Sequence, residues 1–215
     1  MPWPATHILI ADNLYRIHFN HLDYQAFILG NCFPDIRYPA KVKRRQTHIH
    51  VSQLKDIQPS HPFEAGINCH SLVDAAWNRY IDTNHDTLFN EMPHSRAMFH
   101  TMKILQDAYL YDRFADWQRV TSFFNQVIPE EAHYGISQEM VQRWHAMLAH
   151  YLSKPPCFDD IHMLRFSLPE DLVAQIMGAY RLYQHNTTLN RILVGFYDVF
   201  EDFLTPRDVE TRPLN

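Results

Sequence analysis

His70 and Asp74 stand four residues apart in Phe63-Glu64-Ala65-Gly66-Ile67-Asn68-Cys69-His70-Ser71-Leu72-Val73-Asp74-Ala75-Ala76-Trp77-Asn78. On a helix that spacing sends both side chains from one face, one turn apart. An imidazole and a carboxylate so placed can grip one divalent metal, and the two carboxylate oxygens can bridge a pair. The same spacing also suits a plain His–Asp hydrogen bond. The apolar neighbours Ile67, Leu72 and Val73 place the helix in the interior, where a carboxylate without a cation is costly. Metal binding is therefore the stronger expectation.

Other residues offer compatible chemistry. Asp35 follows Pro34 in Phe27-Ile28-Leu29-Gly30-Asn31-Cys32-Phe33-Pro34-Asp35-Ile36, a setting in which aspartate more often serves a turn. His48 and His50 come just after the basic run Lys41-Val42-Lys43-Arg44-Arg45, and His7 falls in the first turn of the first helix. If a metal is present it can activate water and polarise a phosphoryl oxygen. Asp35 can then accept a proton or aim the water, and Arg44 and Arg45 can attract an anionic substrate. Taken singly, each of these residues has a common structural use.

The elements that must carry them read as helices. The first is expected over about residues 6–19, with Ile8, Leu9, Leu14 and Ile17 roughly on one side; a second runs from Asp23 and stops at Gly30-Asn31. Residues 33–61, with Pro34, Pro39 and Pro59, read as a long, partly irregular loop. Pro62 suits a first helical position and opens a helix to about Tyr80. The next begins near Pro93 and reaches about Tyr111, with an interrupted continuation towards Phe124. Ser137 is an N-cap for a helix ending near Leu152, and Ser167-Leu168-Pro169-Glu170 has the form of a capping box, opening a helix to about His185. Thr187 or Thr188 starts the last helix, which ends before Pro206. The expected fold is all-α, a single-domain bundle of about seven or eight helices over 1–206 with a polar tail at 207–215.

Composition narrows the function. A net charge of −5 and a pI near 6.3 argue against a nucleic-acid partner. The three cysteines, Cys32, Cys69 and Cys157, are widely spaced and form no disulfide framework or metal knuckle. No stretch approaches the ~20 apolar residues of a membrane span, and the first residues lack the pattern of a secretory signal. A cytosolic protein is expected. Fifteen histidines are the compositional excess, and a subset bound to metal would account for it. Neither a Gly-x-Ser-x-Gly elbow nor a glycine-rich nucleotide loop occurs.

Four blocks in order, "THILIAD", "FILGNCFPDI", "RRQTHIH" and "FEAGINCHSLVDAAWN", resemble the bacterial zinc-dependent phospholipase C family, which is grouped with the S1/P1 nucleases. The likeness covers roughly residues 5–80, with a looser echo at 95–112. It implies an all-helical fold and a zinc cluster, here of two ions, with manganese or iron as alternatives. A small phosphoester or a phospholipid headgroup would be the substrate. Carried over, His48, His70 and Asp74 match ligands of one metal, and Asp74 bridges to another that His7 also holds. Asp35 matches the residue that serves as base or orients the water. The chain also departs from the family. Trp3 follows Met1-Pro2, so its nitrogen is not the free amine that binds metal in secreted members, and the His-x-x-x-Glu pair for a third metal is missing. His100 and Asp107, seven apart, are candidates for a replacement, Asp107 the better one; both facing solvent is an equal alternative.

Two rivals stand beside this resemblance. An HD-type phosphohydrolase needs an adjacent His-Asp doublet, and His85-Asp86 lies in a polar, loop-like stretch. A helical scaffold or effector would keep the His and Asp residues only as structure.

Overall fold

The computed structural model describes residues 3–51, 53–57, 61–90, 92–166 and 168–205. It is all-α, 76% helix, with eight helices of seven or more residues and no strand among the described residues. With two shorter ones, the α-helices in order are α1 (Pro4–Leu14), α2 (Tyr24–Cys32), the short α3 (Arg37–Ala40), α4 (Pro62–Thr83), the short α5 (His85–Phe89), α6 (Arg96–Leu110), α7 (Trp117–Phe123), α8 (Gln138–Tyr151), α9 (Glu170–Tyr183) and α10 (Thr187–Val199). Short 3-10 turns join several of them.

Local sequence explains most of the boundaries. Pro4 and Pro62 occupy first-turn positions, where a missing N–H costs nothing. The Asp23 carboxylate accepts from Ala26 N at 2.7 Å, Ser95 Oγ from Met98 N at 3.1 Å and Ser137 Oγ from Met140 N at 3.3 Å. Such N-caps satisfy otherwise orphaned backbone donors, each worth about 1 kcal/mol. The last helix is capped by Asn186, which accepts from Leu189 N at 2.8 Å.

Three expectations change. The first helix does not run on to Phe19 as a plain α-helix. It widens into a π turn over Tyr15–Phe19, and Ile17, expected on the apolar side, is swung out to 61% exposure. Gly30 is not a helix stop but lies inside α2, at a helix crossing. Pro169 itself holds the N-cap position of α9 without a side-chain cap. Ser167, the expected cap, lies outside the described residues, as does the tail at 207–215.

The long α4 is the spine. It crosses α2 in the closest packing of the molecule, with α1 against both and α6 carrying α9 and α10 on its far side. At the α2–α4 crossing, a Cβ on Gly30 would fall 2.0 Å from Phe63 O, and one on Gly66 would fall 2.1 Å from Phe27 O. Only glycine lets the two backbones touch. The interior is bulky, with Phe27, Phe33, Phe63, Trp77, Tyr151 and Phe196 fully buried, each stabilising the fold by about 1.5–3 kcal/mol on area alone. Some buried polar groups pair across the fold: Trp77 Nε1 donates to Gln106 Oε1 at 3.0 Å, and Gln106 Nε2 donates to Leu193 O at 2.8 Å. That chain of contacts ties α4, α6 and α10 together. No helix among the described residues is long and apolar enough to cross a membrane.

Candidate metal centre

Asp74 lies inside the spine helix, 2% exposed, with three imidazoles around it. His7 Nε2 is 3.4 Å from its Oδ1, while His70 Nε2 at 3.7 Å and His48 Nε2 at 3.8 Å lie on the Oδ2 side. None of these contacts has hydrogen-bond geometry: both His7 ring nitrogens, His48 Nε2, His70 Nε2 and Asp74 Oδ1 are buried without a partner. Buried polar atoms are almost always satisfied. So many unpartnered polar atoms around one buried carboxylate suit a cation site.

Two of the three imidazoles are held from behind by a hydrogen bond. His70 Nδ1 donates to Asn31 O at 2.8 Å, a contact the glycine crossing brings within reach. Thr47 Oγ1 gives its one proton to Pro34 O at 3.0 Å, so it accepts from His48 Nδ1, also at 3.0 Å. Both contacts put the proton on Nδ1 and leave Nε2 as a lone pair directed inward. This arrangement orients metal-binding histidines in general. The His7 ring stacks on that of His70, centroids 3.9 Å apart at 6°.

The same crowding sets the protonation states. Burial drives His7 down to about 4, with the neighbouring His70 adding to the effect; burial and then His70 take His48 down to about 3. Both are neutral ligands at physiological pH. Burial works to raise the Asp74 carboxyl, but His70 and His7 beside it reverse this and hold it below the ordinary carboxylate range.

Asp35 sits on the short turn Pro34–Ile36 after α2, its Oδ1 buried and unpartnered. One carboxylate oxygen comes within 4.8 Å of ligand atoms of His48 and His70, so Asp35, His48 and His70 form one possible metal group and His7, His70 and Asp74 another. Arg44 reaches Asp74 Oδ2 at 3.1 Å from the surface, its side chain 47% exposed. Arg44 and Arg45 line an open hollow over the cluster with His48, His50, Ser71 and Asn78. The structure thus brings His7, Asp35, His48, His70, Asp74 and Arg44 to one place.

Asp107 belongs elsewhere. Its Oδ1 accepts from Thr6 N at 2.8 Å and Thr6 Oγ1 at 2.6 Å, and its Oδ2 from Ala5 N at 3.0 Å and Tyr151 OH at 3.2 Å. Two donors on each oxygen use up a carboxylate's lone pairs, which corrects the expectation that it ligates a metal. It caps the N-terminus of α1 from across the fold and so fixes the turn that carries His7. Burial pushes its carboxyl up to about 6, against the pull of those hydrogen bonds. His100 is not exposed either: its ring lines a cleft that also includes Asp35.

The rival motifs fare poorly. His85 and Asp86, 52% and 97% exposed, lie on a five-residue surface helix. Cys69 is fully buried and its thiol is pushed up to about 12, which removes it as a nucleophile.

No family model matches this chain, and neither a curated protein nor a solved structure does.

Asn31 and Thr47 carry no sequence signal of their own. One acts through its backbone carbonyl and the other through a hydroxyl beside His48. The buried pair His145–Glu131, 2.7 Å apart, was also missed; it joins α8 to the turn Pro129–Tyr134, away from the cluster.

Proposed function

We propose that this protein is a metal-dependent hydrolase of small phosphoesters, one domain over 1–206, acting in the cytosol. The observation that carries the proposal is the set of orphaned, buried ligand atoms around Asp74. The likeness of the four sequence blocks to the zinc-dependent phospholipases C supports it in kind, and favours a pair of zinc ions. The donor set of imidazoles and carboxylates suits zinc, with manganese or iron as substitutes. Asp74 presents Oδ1 toward His7 and Oδ2 toward His48 and His70, so these residues would hold the ions together.

Such a pair of ions supplies Lewis acidity, lowering the pKa of water and neutralising a phosphoryl oxygen. The chain's own residues do the rest. Asp35, with a free oxygen turned inward, accepts a proton from the attacking water or holds it in line. Arg44 and Arg45 at the open hollow draw in the anionic substrate. His7 and His48, kept neutral by burial, have no proton to lose before binding metal.

The test is metal quantification on protein purified without chelator, followed by a panel of phosphodiesters and phosphomonoesters. About two ions per chain and turnover that chelation removes and zinc or manganese restores are expected. Absence of metal, with no binding on addition of zinc or manganese, overturns the assignment. A second reading has one specific observation in its favour. Arg44 already places a cation 3.1 Å from Asp74 Oδ2, which a non-catalytic helical scaffold would use to neutralise the carboxylate.

A further inference from the structure

Beside the cluster, Asp35 also lines a cleft that Arg44 does not line. Its apolar walls are Trp3, Trp144, Tyr151, Phe166 and Met147; Trp144, Met147 and Tyr151 come from α8, and Phe166 from the stretch between α8 and α9. Their polar ends are turned away and used. Trp144 Nε1 donates to Cys32 O at 3.2 Å, and Tyr151 OH donates to Asp107. Trp3 tilts against Tyr151 with ring centroids 5.3 Å apart. What faces the cleft is therefore largely ring surface and thioether, the kind of lining that small-molecule sites use.

The inner wall is polar. His100 and Lys103, three residues apart on α6, line it with Asp35. His100 Nδ1 and Asp35 Oδ1 are buried without partners, and Lys103 makes no ion pair or hydrogen bond among the described residues. Burial lowers the Lys103 pKa, Asp35 and Asp74 work against that, and Arg37 and Arg96 add to it. Without an ion pair of its own, Lys103 leaves a place for an anion, which would favour its charged form.

We propose that this cleft receives the organic half of the substrate, a flat aromatic group, and that Lys103 meets the anionic phosphoryl group where the cleft joins the cluster. The substrate is then an aryl or similarly flat phosphoester, an assignment that rests on the hydrolase proposal. Aromatic walls favour a ring over a chain because stacked and edge contacts add to area burial, and Met147 adds sulfur–ring contact. With the phosphoryl group held by Lys103 on one side and the arginine hollow on the other, the ester bond lies beside Asp35.

Binding of phenylphosphonate, n-butylphosphonate and methylphosphonate, which cannot be hydrolysed as esters, is followed by tryptophan fluorescence and calorimetry in zinc-loaded and in chelator-treated protein. Phenylphosphonate is expected to bind at least ten-fold more tightly than the other two. Met147→Trp, which fills the cleft, should abolish that preference while leaving methylphosphonate binding unchanged. Lys103→Met should weaken phenylphosphonate about ten-fold, the ordinary value of a charge-assisted contact. Equal affinities for the three probes, or an unchanged preference in Met147→Trp, overturns the cleft assignment even if metal is bound. A phenyl preference that persists in a protein carrying no metal supports the cleft while the hydrolase proposal fails, so the two are separable.

Discussion

Asn31 and His70 meet across the α2–α4 crossing, the histidine donating from Nδ1 to the asparagine carbonyl at 2.8 Å. The contact exists because Gly30 and Gly66 let the two backbones touch. The packing of the fold and the orientation of a candidate ligand are therefore one structural fact. Gly30→Ala should push the helices apart, cost about 1–3 kcal/mol of stability and weaken metal binding roughly 10–100-fold. Thermal unfolding with metal titration checks both effects, and full affinity in a destabilised variant would show that Asn31 does not orient His70.

Asp74→Ala removes the carboxylate that the three imidazoles surround. Metal content should fall to background, and the same holds for His70→Ala. The measurement is metal per chain after dialysis, with circular dichroism to confirm that the helices persist. Full metal content in both variants would remove the proposed centre.

Asp35→Asn separates two roles. If Asp35 acts on the water, the variant should retain its metal and lose about 10²–10⁴ in kcat. If it is a ligand with His48 and His70, as its position within 4.8 Å of both also allows, metal content should drop with activity. Unchanged turnover contradicts both roles.

Arg44→Gln removes a half-exposed cation from beside Asp74. Because that charge opposes an incoming metal, the variant should bind zinc more tightly, by only a few-fold given solvent screening. KM for an anionic phosphoester should rise at the same time. Weaker zinc binding would mean that Arg44 supports the centre rather than competing with it.

In metal-free protein, acid should be destabilising. His7 and His48 are held at about 4 and about 3, below the ordinary histidine value of 6.5. The unfolded chain therefore takes up protons first as pH falls. Stability is full above pH 6.5 and is lost progressively from there down through the folded values. Asp107, raised to about 6, works the other way below that pH, but it is one group against two. With chelator present, Tm should fall by about 5–10 °C between pH 7.5 and 4.5. A flat profile would place both histidines in more solvated surroundings than the structure gives them.

The sequence by itself determined the helices and the local half of the site. A period of 3.6, proline at helix starts and Asp, Ser or Asn caps are short-range effects, and so is the pairing of His70 with Asp74 one turn on. These need no knowledge of the rest of the chain. Tertiary structure decided everything that depends on distant segments meeting. Gly30 reads locally as a stop because glycine ends helices; here its missing side chain serves a helix crossing instead. Asp107 reads as a candidate ligand because it shares a helix face with His100, yet four donors from α1 and Tyr151 satisfy it first. Lys103 and the aromatic cleft have no sequence pattern at all, since their walls come from five separate stretches that only packing brings together. Short-range rules fix which element forms, and the competition among partners in the interior fixes what each buried polar group does.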